Sequence, residues 1–251
     1  MTEIQMFKPL IIIPCYNHAK QLKEFLPRVL CHKYPILIVD DGCDEKNRQI
    51  LDGILKNADK TIFYLRLNTN SGKGKAIIKG IKWADENGYT HLLQIDSDGQ
   101  HNTADIEKFF CTAKENPNAL IKGVAIHDKT IPKSRYYAKK ITAFWVVLET
   151  GSMKIGDVMC GFRLYPLAQT LEIIKDIKFF RMGFDIEIAV KAHWHKIKII
   201  NLKTKVTYPK NNTSNFRIFK DNVEISKMHA ILFFTQITRI FKRLCLGAKW
   251  K

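Results

Sequence analysis

The chain has 251 residues, 46% hydrophobic and 26% charged, which is enough apolar material for a substantial core and excludes a disordered chain. Lys and Arg number 41 against 24 Asp and Glu, and the net charge of +17 favours polyanionic partners: phosphorylated substrates, anionic lipid or nucleic acid. Six scattered cysteines with no C-x-x-C pair exclude zinc and dithiol motifs and predict reduced, mostly buried thiols; no signal peptide is expected in Met1–Lys8, and no run is long enough to span a bilayer.

In chain order, Pro9–Ile13 reads as a buried strand stopped by Pro14, and His18 to Leu30 as a helix. Pro35–Val39 is a second buried strand ending in Asp40 and Asp41, and Thr61 to Leu67 a third, followed by a loop from Asn68 to Gly74. Lys73 to Glu86 has helical apolar spacing and is closed by Asn87-Gly88. His91 to Ile95 is the fourth strand, with Thr103 expected to cap a helix through Lys114. Ser134 to Thr150 is expected as a helix, Met159 to Pro166 as an extended segment, Phe184 to His195 as a helix and Lys196 to Tyr208 as strands. Continuous apolar strands separated by helices predict an α/β fold with a mostly parallel sheet covered on both faces.

Residues 221–251 read as a separate basic amphipathic helix after a catalytic unit of residues 1–220. Ala230, Phe233, Phe234, Ile237, Ile240, Phe241 and Leu244 fall on one side, Arg239, Lys242 and Arg243 on the other, and no acidic residue follows Glu224. Such a helix can lie in an anionic membrane surface, or it can pack on its own core.

The chemistry concentrates at strand ends. Tyr16 and Asn17, Asp40 and Asp41, Asn68 and Asn70, and Asp96 and Asp98 each follow a strand, the edge where open α/β sheets bind ligands. In Asp96-Ser97-Asp98-Gly99-Gln100-His101, two carboxylates and an amide supply hard oxygens suited to Mg²⁺ or Mn²⁺ carried with a diphosphate. Lys73 and Lys75 follow glycines at a helix start, where backbone N–H groups and cations favour phosphate. Asp185 and Glu187, two apart on a helix, cannot share one face, so one of them is expected to cap or pair structurally. The chain shows no RRM aromatic signature, zinc finger or helix-turn-helix, which argues against a nucleic-acid-binding module.

Ile13-Pro14-Cys15-Tyr16-Asn17, Val39-Asp40-Asp41-Gly42, Asn70-Ser71-Gly72-Lys73-Gly74 and Asp96-Ser97-Asp98-Gly99-Gln100-His101 together resemble family 2 glycosyltransferases of the GT-A fold, in that family's order and spacing over residues 8–208. The Gln100-His101 ending, Cys160-Gly161-Phe162-Arg163 and Phe184-Asp185-Ile186-Glu187 resemble the polyprenyl-phosphate (dolichyl-phosphate-mannose synthase-like) branch. The second half is also similar to transferases of bacterial lipid and aryl-polyene pathways, which leaves a lipid or glycan hydroxyl open as acceptor. Cys43 stands where a serine is usual, Gly99 where leucine is commoner, and the transmembrane helices of many such enzymes are missing.

The resemblance implies inverting, metal-dependent transfer from a nucleoside-diphosphate sugar, UDP-linked by family frequency, to polyprenyl (undecaprenyl) phosphate in bacterial envelope glycolipid synthesis. It implies Pro14, Tyr16, Asn17, Asp40 and Asp41 around the nucleotide, with Lys73 and Lys75 on phosphate. It further implies Asp98 and Gln100 on the metal, with Asp96 at ribose or metal, and Asp185 or Glu187 as base for a hydroxyl acceptor. Arg135 and Arg163 are expected near acceptor or donor phosphate. The implied location is peripheral, on the cytoplasmic face of the plasma membrane.

Overall fold

The computed structural model describes residues 6–126, 133–207 and 216–246, without the side chains of 133–135 and 246. Seven strands form one sheet: β1 (Pro9–Cys15), β2 (Ile36–Asp40), β3 (Ile62–Arg66), β4 (His91–Gln94), β5 (Leu120–Ile126), β6 (Arg163–Pro166) and β7 (Ile199–Lys205). Their order is β3-β2-β1-β4-β6-β5-β7, parallel except for β6, which runs antiparallel to both β4 and β5. The helices are α1 (Ala19–Leu30), α2 (Glu45–Lys56), α3 (Lys73–Glu86), α4 (Ile106–Glu115), α5 (Lys133–Thr150), α6 (Leu167–Ile174), α7 (Phe184–Trp194) and α8 (Ile218–Leu246).

Alternate residues of β1 explain the two-sided core. Ile11 and Ile13 face a cluster with Leu22, Phe25, Phe109 and Phe110, while Leu10 and Ile12 face another with Ile77, Ile81, Phe184 and Ile188. The chain leaves β1 toward β2 and β3 on one side, then returns through α3 to β4 on the other. That reversal opens a crevice at the carboxyl ends of β1 and β4.

Several elements depart from the sequence reading. Pro14 does not stop β1: pairing with β4 ends at Ile12↔Gln94, so the strand has a ladder on one side only where the missing N–H falls. Helix α2 is an additional element, capped by Asp44, whose side chain accepts from the Asn47 N–H. Strand β5 and helix α6 are additional too. Asn102, not Thr103, caps the short 3-10 turn Thr103–Asp105 that precedes α4. Only one strand, β7, lies within Lys196–Thr207, and Tyr208 lies outside the described residues. Of the six thiols only Cys15, Cys43 and Cys160 are buried; Cys31, Cys111 and Cys245 are exposed.

The third cluster is built by α5, α7 and α8: Val146, Ile186, Val190, Met228 and Leu232. The helix expected from residue 221 therefore begins at Ile218 and its first half belongs to the fold. Among the described residues no helix is long and apolar enough to cross a membrane.

Candidate active site

The loop after β4 carries the acidic residues, and four features hold it. Gly99 turns it at φ 72°, a left-handed conformation that favours glycine. The Asp98 side chain accepts from the Gln100 N–H at 3.0 Å, and His101 bridges to Val206 beyond β7. Gly161, just before β6, approaches so closely that a Cβ there would lie 2.1 Å from Asp96 Oδ2.

Asp96 is the hub. Lys73 Nζ, at the start of α3, lies 2.8 Å from Asp96 Oδ1 and also 2.8 Å from Asp185 Oδ2 at the start of α7. Gln94 Nε2 donates to Asp96 at 3.3 Å while its own carbonyl accepts from the Tyr165 hydroxyl, and His101 Nε2 stands 3.5 Å from Asp96 Oδ2. Burial alone would raise the Asp96 carboxyl, but Lys73 and His101 outweigh it and hold it well below the usual carboxylate range. Burial likewise opposes the Lys73 charge, yet the Asp185 and Asp96 carboxylates prevail and push its pKa up. In this arrangement the ammonium supplies the positive charge that two clustered carboxylates require.

The second strand end forms a different device. Asp41 accepts from the backbone N–H of Ser71 at 2.8 Å and of Gly72 at 2.9 Å, fastening the loop that starts α3. Burial raises its carboxyl against those two donors and the Arg181 charge. Asp40 is wholly buried and turned toward β3, accepting from the Cys43 N–H and the Tyr64 hydroxyl and pairing with Arg66. Asn17, at φ 54°, spends its side-chain oxygen on the Asp44 N–H. Pro14 lies beside Val39 in the β1–β2 ladder, and the half-buried Tyr16 follows two residues later.

Other candidate residues are placed away from the crevice or turned inward. Arg163 is fully buried, and its guanidinium donates to the carbonyls of Val158, Cys160 and Asp185, so it has no free face for a phosphate. The expectation that it binds phosphate is corrected to a role inside the loop, because the carbonyls of the 158–161 turn need a buried donor. Glu187 accepts from the backbone N–H of Lys178 and Phe179 and pairs with Lys191 at 2.8 Å, while Asp185 faces Lys73. Lys75 lies 4.6 Å from the Phe180 ring centroid rather than at the carboxylates. The Arg135 side chain lies outside the described residues.

Sequence reasoning missed Gln94, Gly161 and Arg181, which donates to Asn70 Oδ1 at 3.0 Å and acts on Asp41. A glutamine closing an apolar strand was the available signal for Gln94, and Gly161 lay within the Cys160-Gly161-Phe162-Arg163 motif without its contact to Asp96 being foreseen; nothing local marks Arg181. Among the described residues no three acidic, histidine or cysteine side chains are gathered around one point. The donor set at the β4 end, carboxylate and amide oxygens from Asp96, Asp98 and Gln100, nevertheless suits a hard divalent ion that completes its shell with phosphate and water.

Comparison with known proteins agrees with this architecture. Residues 10–178 match the family described as Glycosyl transferase family 2. An uncharacterised protein of Methanocaldococcus jannaschii is 30% identical over 205 residues, covering 78% of this chain and 87% of the relative. A dolichyl-phosphate beta-glucosyltransferase of Dictyostelium discoideum is 26% identical over 96% of this chain and 76% of the relative. Glucosyl-3-phosphoglycerate synthase of Mycobacterium tuberculosis, solved with Mn²⁺, UDP and phosphoglyceric acid, shares the fold at TM-score 0.67 and 10% identity, over 92% of this chain and 78% of that one. S. aureus TarS with UDP does so at TM-score 0.58 and 18% identity, over 90% of this chain but 65% of that one. With its reversed sheet, its strand-end carboxylates and this match across most of its length, the chain belongs to glycosyl transferase family 2 and is a glycosyltransferase of the GT-A fold.

Proposed function

We propose that the protein transfers a sugar, with inversion, from a UDP-linked donor to polyprenyl phosphate. The observation that carries this reading is Lys73 bridging Asp96 and Asp185 at the mouth of the β1–β4 crevice. The relatives' names point the same way: besides the dolichyl-phosphate enzyme they include a polyprenol monophosphomannose synthase of Mycolicibacterium smegmatis.

In this reading Tyr16 offers a stacking face to the base, and Pro14, Asn17 and Asp41 shape the nucleotide pocket. Asp98, Gln100 and Asp96 would hold Mg²⁺ or Mn²⁺, which when bound neutralises charge developing on the departing diphosphate. Lys73 turns from the carboxylates toward that diphosphate as it binds. An acceptor phosphate oxygen attacks the anomeric carbon from the opposite face, the sugar–diphosphate bond breaks, and the nucleoside diphosphate leaves with that bond's electron pair. Phosphate is already ionised at neutral pH, so no proton has to be removed. The lipid acceptor implies work at a membrane surface, and we place the enzyme peripherally on the cytoplasmic face, in envelope glycolipid synthesis.

One observation favours a second reading. Asp185 Oδ1 receives no hydrogen bond among the described residues, although Arg163 Nε stands 3.8 Å away, so it keeps an acceptor site for the proton of a lipid or glycan hydroxyl. A panel of UDP- and GDP-sugars with polyprenyl phosphate, Mg²⁺ or Mn²⁺, and EDTA and Asp98→Ala controls separates the two. Metal-dependent label in the lipid phase is the expected result. Metal-dependent UDP binding without that product would move the acceptor to a hydroxyl.

A further inference from the structure

Helices α5 and α8 bury one face each and leave the other bare. Their shared face is closed by Glu149 Oε1, 2.6 Å from His229 Nδ1, and by Trp145, whose ring packs on His229 and Phe233. On α5, Glu149 pairs with His229 and Trp145, one turn earlier, reaches Phe233, one turn later on α8. That order places the helices antiparallel, so the second half of α8 runs back beside the first half of α5.

The bare faces are apolar. On α5, Tyr137, Ile141 and Phe144 are 61%, 62% and 61% exposed, at helical spacing of one stripe. On α8, Phe234, Phe241 and Leu244 are 65%, 64% and 78% exposed on a second stripe. Isolated exposed apolar residues are ordinary, but two adjoining stripes of large side chains mark an interaction surface. The surrounding charge has one sign. The one acidic residue of α5, Glu149, is buried against His229, and no acidic residue follows Glu224 in the chain. Lys140 flanks the α5 stripe, with its Nζ 4.6 Å from the Tyr136 ring centroid, and Lys242 and Arg243 lie on the other side of α8 from its stripe.

The surface is tied to the site. Strand β5 runs the same way as β4, because each is antiparallel to β6, so α5 follows from the edge that holds Asp96. Lys139 of α5 pairs with Asp157 at 2.7 Å, and the loop from Asp157 leads to Gly161, which abuts Asp96.

We infer that α5 and α8 together form a docking surface for an anionic lipid bilayer. The stripes seat at the boundary of headgroups and acyl chains, Lys140 meets lipid phosphates, and the cations of α8 add long-range attraction to the anionic surface. The bilayer is favoured over a protein partner by aromatic and aliphatic stripes on helix segments whose exposed charges are cations, and by the lipid acceptor of the proposed function, on which this inference rests. The α5 stripe extends the surface beyond the terminal helix to a helix that starts from the Asp96 edge of the sheet, on the side from which a membrane-embedded phosphate must enter.

The test uses the full chain with vesicles of phosphatidylcholine, alone or with phosphatidylglycerol. Wild type should sediment with the anionic vesicles, and Ile141→Ser/Phe144→Ser and Phe241→Ser should each weaken partitioning by about tenfold. UDP binding in solution should be unchanged in both variants, since these side chains are exposed and lie outside the proposed nucleotide pocket. As a gain-of-signal check, the fluorescence of Phe144→Trp should be quenched by brominated lipid beyond the wild-type level. Wild-type partitioning by the α5 variant, or an unquenched Trp at 144, would overturn the inference. So would a lipid-free dimer abolished by Phe144→Ser, which would assign the stripes to self-association. A water-soluble short-chain polyprenyl phosphate separates the two proposals: vesicle binding without transfer to it sinks the acceptor reading and leaves the docking surface standing.

Discussion

Gly161 and Asp96 touch across the crevice: a side-chain carbon on Gly161 would lie 2.1 Å from Asp96 Oδ2, inside any possible contact. The carboxylate at the end of β4 therefore has its position only because the chain entering β6 carries no side chain there. Gly161→Ala forces Asp96 or the loop to move, and a displacement near 1 Å at a reacting site costs about 100-fold in rate. We expect kcat/KM to fall by about that factor while the protein still folds, measured by transfer kinetics beside a thermal melt. Unaltered kinetics would mean that Asp96 needs no fixed position.

Lys73 pairs with two carboxylates, Asp96 and Asp185, each at 2.8 Å. Lys73→Gln removes the cation proposed to meet the diphosphate, so UDP should bind about tenfold more weakly by calorimetry. The same variant frees Asp96, so Mn²⁺ alone should bind more tightly than to wild type, read by the loss of the free-ion paramagnetic resonance signal. Equal Mn²⁺ affinity in both proteins would show that Lys73 does not compete for the carboxylate.

Asp185 and Glu187 should separate cleanly. Glu187 is buried, accepts from two backbone donors and pairs with Lys191, so Glu187→Ala should destabilise by about 3–5 kcal/mol in urea unfolding. Asp185→Asn should leave the fold standing. With a phosphate acceptor its turnover should stay within about tenfold of wild type; a drop of about 100-fold or more would assign it general-base work on a hydroxyl.

Lys122 supplies a pH signature. Its ammonium donates to the carbonyls of Ile155 and Asp157, yet burial, joined by the Arg163 charge, pushes it down to about 7 from an ordinary 10.5. Between those values the unfolded chain holds a proton that the folded chain has released. Stability contributed at this site therefore rises with pH across that window and is level outside it. Lys122→Met, which leaves two buried carbonyls without their donor, should cost about 1–3 kcal/mol at neutral pH. The gap to wild type should widen between about pH 7 and pH 10.5, and a constant gap would show that the lysine stays charged in the fold.

Much of the first half of the chain was legible from residue order. Alternating apolar strands and helices, Gly72 before α3 and the Asp96–His101 run are local patterns, and the structure puts them where the periodicities imply. Legibility failed where a residue's partner is remote. Asp40 and Asp41 are neighbours with the same chemistry, but one turns to Tyr64 and Arg66 while the other clamps the Ser71–Gly72 backbone. Arg163 looks like a phosphate ligand beside Gly161-Phe162, and only the fold shows its guanidinium enclosed by carbonyls.

Residue order was sufficient for the family, the parallel sheet and the edge at which its chemistry sits, because strand pleat and helix period are properties of near neighbours. Which charges meet was decided by tertiary packing. The contact of Lys73 with Asp185 spans 112 positions and depends on how α7 docks beside α3. The bare stripe of α5 likewise exists only because Trp145 and Glu149 turn inward to α8. Burial and pairing are set by elements far apart in the chain, so no local pattern of charge or hydrophobicity can contain them.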